Sequence, residues 1–306
     1  MPFTFSHALY AAPLKKAVPR LSATGLILGS FAPDFEYFIA MVPFRSVGHS
    51  IDSFILMAFP LCVALAFAFH RIVLPSLHEF LPGYGRIDRF AKASVRPWKL
   101  ASASDWIVFF LSAFIGFISH LFLDNWTHAS GWFVVRLPLL RATLAGDELY
   151  HILQLSLSAL GIALPAYLLF RKWRIWQRAN QGRSADAGGS GIKRFKSNWL
   201  LLLAVSFALF AGKLISTGDY MILGVWIVAP ITASLVGLFA ASLRIASARA
   251  GKEAKGWIGI FAILGAIALY KLAAGLFGFH LWLWILFIWI LSAVILITTL
   301  IINDNN

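Results

Sequence analysis

Only one cysteine, Cys62, occurs in the 306 residues, which excludes an intramolecular disulfide and any CxxC metal or redox site. It falls inside an apolar run, where a lone thiol serves as a small buried side chain. Charge is scarce as well: 13% of residues are charged, against about a quarter in a soluble protein. Acidic residues are scarcest, thirteen Asp and Glu beside twenty-six Lys and Arg. Period-two alternation is missing from the apolar runs, which argues against a β-barrel. The opening Met1-Pro2-Phe3-Thr4-Phe5-Ser6-His7 lacks a basic stretch leading into an apolar one, so no cleavable signal peptide is expected.

What the chain has in quantity is hydrophobic residues, 60% of the total, with a mean hydropathy of +0.79. A spanning helix needs roughly 20 mainly apolar residues. Runs of that kind lie near 51–74, 105–123, 150–170, 198–216, 221–243, 257–276 and 280–302, and a weaker one at 21–42 is interrupted by Pro33-Asp34. The expected fold is an all-α, polytopic transmembrane protein of seven to eight apolar helices, with 21–42 the candidate for a re-entrant segment. The lipid bilayer is its expected partner.

The net charge of +13 does not point to nucleic acid, because no aromatic-and-basic recognition pattern accompanies it. Its distribution reads as topology. Eighteen Lys and Arg fall in the 70–104, 171–196 and 244–255 loops, and only three (Arg45, Arg136, Arg141) in the intervening ones. Basic loops stay cytoplasmic, so 43–50 and 124–149 are expected to face outward and the C-terminus inward. Tryptophans at run ends, such as Trp98, Trp106, Trp126 and Trp257, fit an interfacial belt.

Residues 179–192, rich in Gly, Ser and Ala, read as a flexible cytoplasmic linker. It divides the chain into a His- and Asp-bearing membrane part, 1–178, and a four-helix transmembrane scaffold, 193–306. Seven of the eight histidines precede the linker, so chemistry is expected in the first part.

The sharpest local feature there is Ser119-His120-Leu-Phe-Leu-Asp124-Asn-Trp-Thr127-His128. His120, Asp124 and His128 recur at four-residue steps, each advancing only about 40° around a helix, which would place all three on one face. Two imidazoles and a carboxylate so arranged can ligate a metal. A second feature is Gly29-Ser30-Phe31-Ala32-Pro33-Asp34-Phe35-Glu36-Tyr37. An aspartate in so apolar a stretch is costly unless a cation or donors offset it, although a helix-capping role is an ordinary alternative. His7 and His49, in Ser6-His7-Ala8 and Gly48-His49-Ser50, are weak signals taken singly.

Together, the opening Met-Pro-Phe-Thr-Phe-Ser-His, Gly-Ser-Phe-Ala-Pro-Asp-Phe-Glu-Tyr-Phe, Gly-His-Ser and Ser-His-Leu-Phe-Leu-Asp-Asn-Trp-Thr-His resemble a bacterial membrane family, domain of unknown function 4184. The resemblance covers at least residues 1–160 and includes Leu149-Tyr150-His151-Ile-Leu-Gln154. That family has no established activity, and it implies a multi-pass protein of the bacterial inner membrane. In motif order it is similar to a broader group of inner-membrane proteins labelled metal-dependent hydrolases. This resemblance implies His7, Asp34, His49, His120 and Asp124 as metal ligands, with His128 a sixth. The broader group often has His-Arg followed by Thr-His where this chain has only Gly48-His49-Ser50, so the second histidine of that motif is missing.

Six ligands would hold one or two divalent cations, zinc first, with manganese or iron as alternatives. Glu36, His151 and Gln154 are candidates for proton transfer or supporting hydrogen bonds, and Arg45, Arg136 and Arg141 for contact with a phosphate. The expected substrate is a lipid phosphoester or other amphipathic ester, cleaved near the extracytoplasmic face. A transporter, or a scaffold holding a structural metal, are the alternatives. One conflict remains in the sequence. If 21–42 spans completely, His7 falls on the cytoplasmic side with Lys15, Lys16 and Arg20; if it is re-entrant, His7 joins the other ligands. The break at Pro33-Asp34 favours the second arrangement, and the charges at 15–20 favour the first.

Overall fold

The structure, a computed structural model, describes residues 3–44, 46–180, 190–217 and 222–304, with the backbone alone at 190–194. Most of the 179–192 stretch read as a linker lies outside the described residues. Among the described residues, seven helices are long and apolar enough to cross a membrane. They are α5 (Phe54–Phe80), α7 (Ala103–Thr127), α9 (Leu149–Ala179), α10 (Ser190–Thr217), α11 (Leu223–Arg249), α12 (Glu253–Phe277) and α13 (Leu281–Asn303). The protein is therefore a multi-pass membrane protein. Large apolar side chains such as Leu200, Phe207, Leu223, Phe261 and Trp282 stand exposed along these helices, as lipid-facing residues must.

Most of these helices run past their apolar cores. The basic ends Arg171–Arg178 and Arg244–Arg249 stay helical, because long Lys and Arg side chains carry their charge to the interface without ending the helix. α5 contains two π-helical turns, Phe54–Ala58 and Phe69–Val73. Each precedes a proline, Pro60 or Pro75, whose ring displaces the carbonyl four residues earlier, and a widened turn absorbs the clash. α7 begins at a capping box: Ser102 Oγ accepts from the Asp105 amide, and Asp105 Oδ2 accepts from the Ser102 amide, satisfying two orphan donors.

The eighth candidate, 21–42, is not one of the seven spans. It forms α3 (Ala23–Phe31), a 3₁₀ turn at Ala32–Asp34 and α4 (Phe35–Ala40), the break falling at Pro33. Upstream lie α1 (His7–Ala11) and α2 (Leu14–Ala17). Shorter elements complete the chain: α6 (Ile87–Ser94), α8 (Trp132–Arg136) and a hairpin of β1 (Thr143–Leu144) with β2 (Asp147–Glu148).

The chain forms two compact units that are not sequential blocks. The first comprises Met1–Phe35, Val47–Cys62 and Lys99–Lys172; the second, Glu36–Ser46, Val63–Trp98 and Trp173–Asn306. In the second, α10 packs along α11 and α12 along α13. In the first, the main packing is α3 on α7, and small residues make it close. Cβ atoms added at Gly25 and Gly29 would strike the α7 backbone at Phe109 and Ala113, and one at Gly116 would strike the Leu26 carbonyl. Gly25-x-x-x-Gly29 against Gly116 is the small-residue device by which membrane helices bring their backbones together.

This packing also explains the course of the N-terminal segment. Ser22, the N-cap of α3, donates its amide to Ser112 Oγ at 2.8 Å, near the middle of α7. Ser30 and Asp34 stand beside His120 and Asp124 near its C-terminal end. His7 is also at that end, 3.7 Å from Asp124. Residues 7–34 therefore descend along α7 and return as a helical hairpin, with both ligand-type ends at one level. Lys15, Lys16 and Arg20 occupy its far tip. The hairpin brings His7 to the level of Asp34 and Asp124, the arrangement expected of a re-entrant segment.

Candidate metal centre

Five side chains meet near the C-terminal end of α7, all from the first unit. Asp34 Oδ1 stands 3.6 Å from His49 Nε2 and 3.8 Å from His120 Nε2. Asp124 Oδ2 stands 3.4 Å from His49 Nε2 and 3.3 Å from His120 Nε2, and Asp124 Oδ1 is 3.7 Å from His7 Nε2. The His7 and His120 rings stack with centroids 3.9 Å apart. Two groups of ligand atoms fall within 4.8 Å of one another: His7, His120 and Asp124, and Asp34, His49 and His120.

Each residue is held from outside the cluster. His120 Nδ1 lies 2.7 Å from the Ser30 carbonyl, a contact that puts the proton on Nδ1 and leaves the Nε2 lone pair facing the carboxylates. Thr4 Oγ1 donates to Asp34 Oδ2 at 2.5 Å. α9 fixes the segment bearing His7: Ser158 Oγ accepts from the Phe3 amide, Tyr10 donates to the Leu157 carbonyl, and Gly161 leaves room for Ser6.

The cluster is buried, and its facing atoms lack ordinary partners. His7, Asp34 and His120 are at most 1% exposed. Both His7 nitrogens, Asp34 Oδ1, His120 Nε2 and Asp124 Oδ1 make no hydrogen bond among the described residues. Each such orphan costs about 1–3 kcal/mol. Burial and the neighbouring His120 lower the pKa of His7 from 6.5 to about 3, so its imidazole is neutral and its lone pair free. Burial pushes the carboxyl of Asp34 up from its ordinary value, so by itself this site disfavours the anion.

A divalent cation held by these atoms would resolve both problems. Ligand atoms each about 2 Å from a tetrahedral ion stand about 3.3 Å from one another. The 3.3–3.8 Å separations between imidazole nitrogens and carboxylate oxygens are long for hydrogen bonds and close to that value. His120 Nε2 belongs to both groups but has one lone pair, and Nδ1 is committed to Ser30. The donor set therefore fits one cation better than two.

Other candidates are placed differently. His128 does not continue the face of His120 and Asp124, because α7 ends at Thr127 and His128 is extended. The side chain of Asn125 captures the Trp132 amide at 2.8 Å and Gly131 closes on the Asn125 carbonyl, turning the chain away. His128 Nδ1 instead lies 3.0 Å from the Asp124 carbonyl and 3.6 Å from Asp124 Oδ1, at the open edge of the cluster. Glu36 belongs to the second unit, where it accepts from Ser46 and from Trp284 Nε1. His151 Nδ1 pairs with Asp147 Oδ2 at 2.5 Å on the half-exposed start of α9, and Gln154 is buried one turn further on. Arg136 lies over the Trp132 ring at 4.2 Å. Arg141 donates to the Ala129 carbonyl at 2.6 Å, beside the turn that carries His128. Arg45 lies outside the described residues.

Thr4 and the Ser30 carbonyl were not among the residues expected to matter. Thr4 belongs to the opening motif three residues before His7, and Gly25-x-x-x-Gly29 was the available signal that α3 would pack closely on α7.

The family model for a domain of unknown function, DUF4184, matches residues 1–246. This chain belongs to the DUF4184 family. The match reaches well beyond residue 160, through α10 and most of α11, so the DUF4184 unit includes the whole cluster and much of the second compact unit. No curated protein and no solved structure matches the chain.

Proposed function

We propose that this DUF4184 protein is a membrane-embedded, metal-dependent hydrolase of an amphipathic phosphoester. The observation that carries the reading is the spacing of three imidazoles and two carboxylates, among which the facing atoms of His7, His120, Asp34 and Asp124 are orphaned and buried. In it, His7, His49, His120, Asp34 and Asp124 hold one divalent cation, zinc first and manganese or iron next by donor type. Such a cation supplies electrophilic catalysis, polarising a phosphoryl oxygen and acidifying water.

The chain's own residues account for the rest. Thr4 and Ser30 orient Asp34 and His120. His128, with a quarter of its side chain exposed, stands at the solvent edge next to Asp124 and takes the proton of the attacking water. Arg141, tied to the adjoining turn, meets the phosphate in this reading. An apolar substrate is supported by the exposed aromatic residues Phe122 and Trp132 around the Trp126–Phe133 stack, which sit at this end of α7. By the charge of the loops, that end faces the extracytoplasmic side and the C-terminus is cytoplasmic.

Metal content of detergent-purified protein, measured by mass spectrometry beside a His120→Ala, Asp124→Ala double variant, is the test. About one Zn, Mn or Fe per chain, lost in the variant by about a hundredfold or more, supports the centre. Metal-free wild type after added metal sinks it. The burial of His7, Asp34 and His120 favours a second reading, a purely structural metal. It predicts the same metal content, a fall in thermal stability on chelation, and no turnover of any phospholipid or prenyl phosphate offered.

A further inference from the structure

A separate site lies in the second unit, at the basic end of the α11–α12 hairpin. A cavity of about 160 Å³ is lined there by Arg244, Ser247, Glu253, Gly256 and Trp257, among others. Gly256 sits hard against Ser247, and a Cβ there would strike the Ser247 side chain. Ser247 donates back to the Arg244 carbonyl and leaves the cavity wall to the guanidinium.

Arg244 is the anomaly. Its Nη2 donates to Asn198 Oδ1 at 2.8 Å, and Asn198 is 1% exposed. Arg244 Nε and Asn198 Nδ2 are buried with no hydrogen-bond partner, and no carboxylate lies within ion-pairing distance of Arg244 among the described residues. The nearby Arg249, by contrast, is paired with Glu79 at 2.7 Å. A guanidinium carries its charge at every accessible pH and presents a fork matched to phosphate oxygens. One anchored by a buried amide but lacking a counter-charge has donors suited to a phosphate. Across the cavity, exposed Glu253 supplies one negative charge without an ion pair among the described residues, and Trp257 offers an interfacial ring face.

We infer that this cavity binds the headgroup of a phosphatidylethanolamine molecule, its phosphate on Arg244 and its ammonium on Glu253. The single cation and single anion match a zwitterion, and a primary ammonium, unlike a trimethylated one, donates hydrogen bonds to the Glu253 carboxylate; a headgroup with phosphate alone would leave Glu253 repelling it. Basic pockets between helices at the cytoplasmic interface are established places for lipid headgroups, and Trp257 suits that depth. This inference is independent of the metal centre.

The test is lipid retention by the full-length protein. It is purified from membranes or mixed vesicles of phosphatidylethanolamine, phosphatidylglycerol and phosphatidylcholine and examined by native mass spectrometry. Wild type is expected to keep phosphatidylethanolamine in preference to the others by about tenfold, and Arg244→Gln to lose that retention. Glu253→Gln, an exposed substitution that leaves the fold alone, is expected to equalise phosphatidylethanolamine and phosphatidylglycerol. Equal retention of the three lipids by wild type overturns the inference. So does an unchanged preference in Glu253→Gln, or full retention by Arg244→Gln. Saturable stabilisation by water-soluble glycerophosphoethanolamine that displaces the lipid would assign the site to a free phosphoester and overturn the lipid assignment.

Discussion

The two compact units are both built from apolar helices, yet they differ in how their ionisable groups are gathered. In the second unit, several buried or half-buried hydroxyls return to their own helix, Thr299 to the Ile295 carbonyl and Ser247 to Arg244, and the orphaned ones, Ser242 and Ser292, are neutral. Its buried carboxylate, Glu36, accepts from Ser46 and Trp284. In the first unit, His7, His49, His120, Asp34 and Asp124 come from four separate segments and face one another, with lone pairs of His7, His120, Asp34 and Asp124 unmatched. A polar group that satisfies itself within its helix adds little beyond packing. A set that converges across helices and stays unsatisfied is held for something else.

That contrast can be broken most readily by acid. The folded first unit refuses a proton at His7 until about pH 3, whereas the unfolded chain accepts one near 6.5. Below about 6.5 the unfolded state therefore binds more protons, and metal-free protein should lose up to a few kcal/mol of stability as pH falls through that window. Asp34, with its raised pKa, acts in the opposite sense, stabilising the protonated folded form above the usual carboxylate range and losing that contribution as pH rises. Thermal unfolding of chelator-treated protein against pH should show the acid limb in wild type and a flatter profile in His7→Phe. An unaltered profile in that variant would mean the acid sensitivity arises elsewhere.

Glycine substitutions sharpen the comparison next. Gly29→Leu forces α3 off the α7 backbone and should cost about 1–3 kcal/mol, together with metal content. Gly265→Leu in α12 meets open space and should change unfolding by less than about 1 kcal/mol, with a gain the expected sign because glycine is a poor helix former. Equal losses at the two positions would show that the cost at Gly29 does not come from its contact with α7.

Thr4→Val removes the 2.5 Å hydrogen bond to Asp34 while keeping its shape, and should weaken metal affinity about tenfold in a competition titration. Thr299→Ala, its counterpart in the second unit, should leave metal affinity unchanged. The smallest effects are expected at the surface. Arg141→Ala breaks a 4.0 Å contact with Glu148 and Arg249→Ala a 2.7 Å pair with Glu79; both are solvent-screened, and each should cost no more than about 1 kcal/mol in thermal unfolding. A rate defect in Arg141→Ala without loss of stability would mark it as a phosphate contact.

Much of the fold was legible because spanning a bilayer is a composition problem. About twenty apolar residues suffice, and the seven strong runs all became helices. His120 and Asp124 were legible for a similar reason, since a four-residue step on a helix fixes a shared face. The position of His128 was legible only in part, because the face argument assumes the helix continues, and the turn at Asn125 and Gly131 depends on side-chain contacts that spacing does not encode. The hairpin of residues 7–34 was legible only as an alternative, because Pro33 marks a break without saying which way the chain turns.

By itself, the sequence determined the membrane class, the number of strong spans, the basic and less basic loops and the residue types able to ligate a metal. These follow from local composition and from the period of the helix. Only the tertiary structure decided that His7 meets Asp124, that His49 meets Asp34, and that His120 faces the carboxylates through Nε2. Those contacts depend on how closely α3 can approach α7, which three glycines permit, and on which ring nitrogen the Ser30 carbonyl engages.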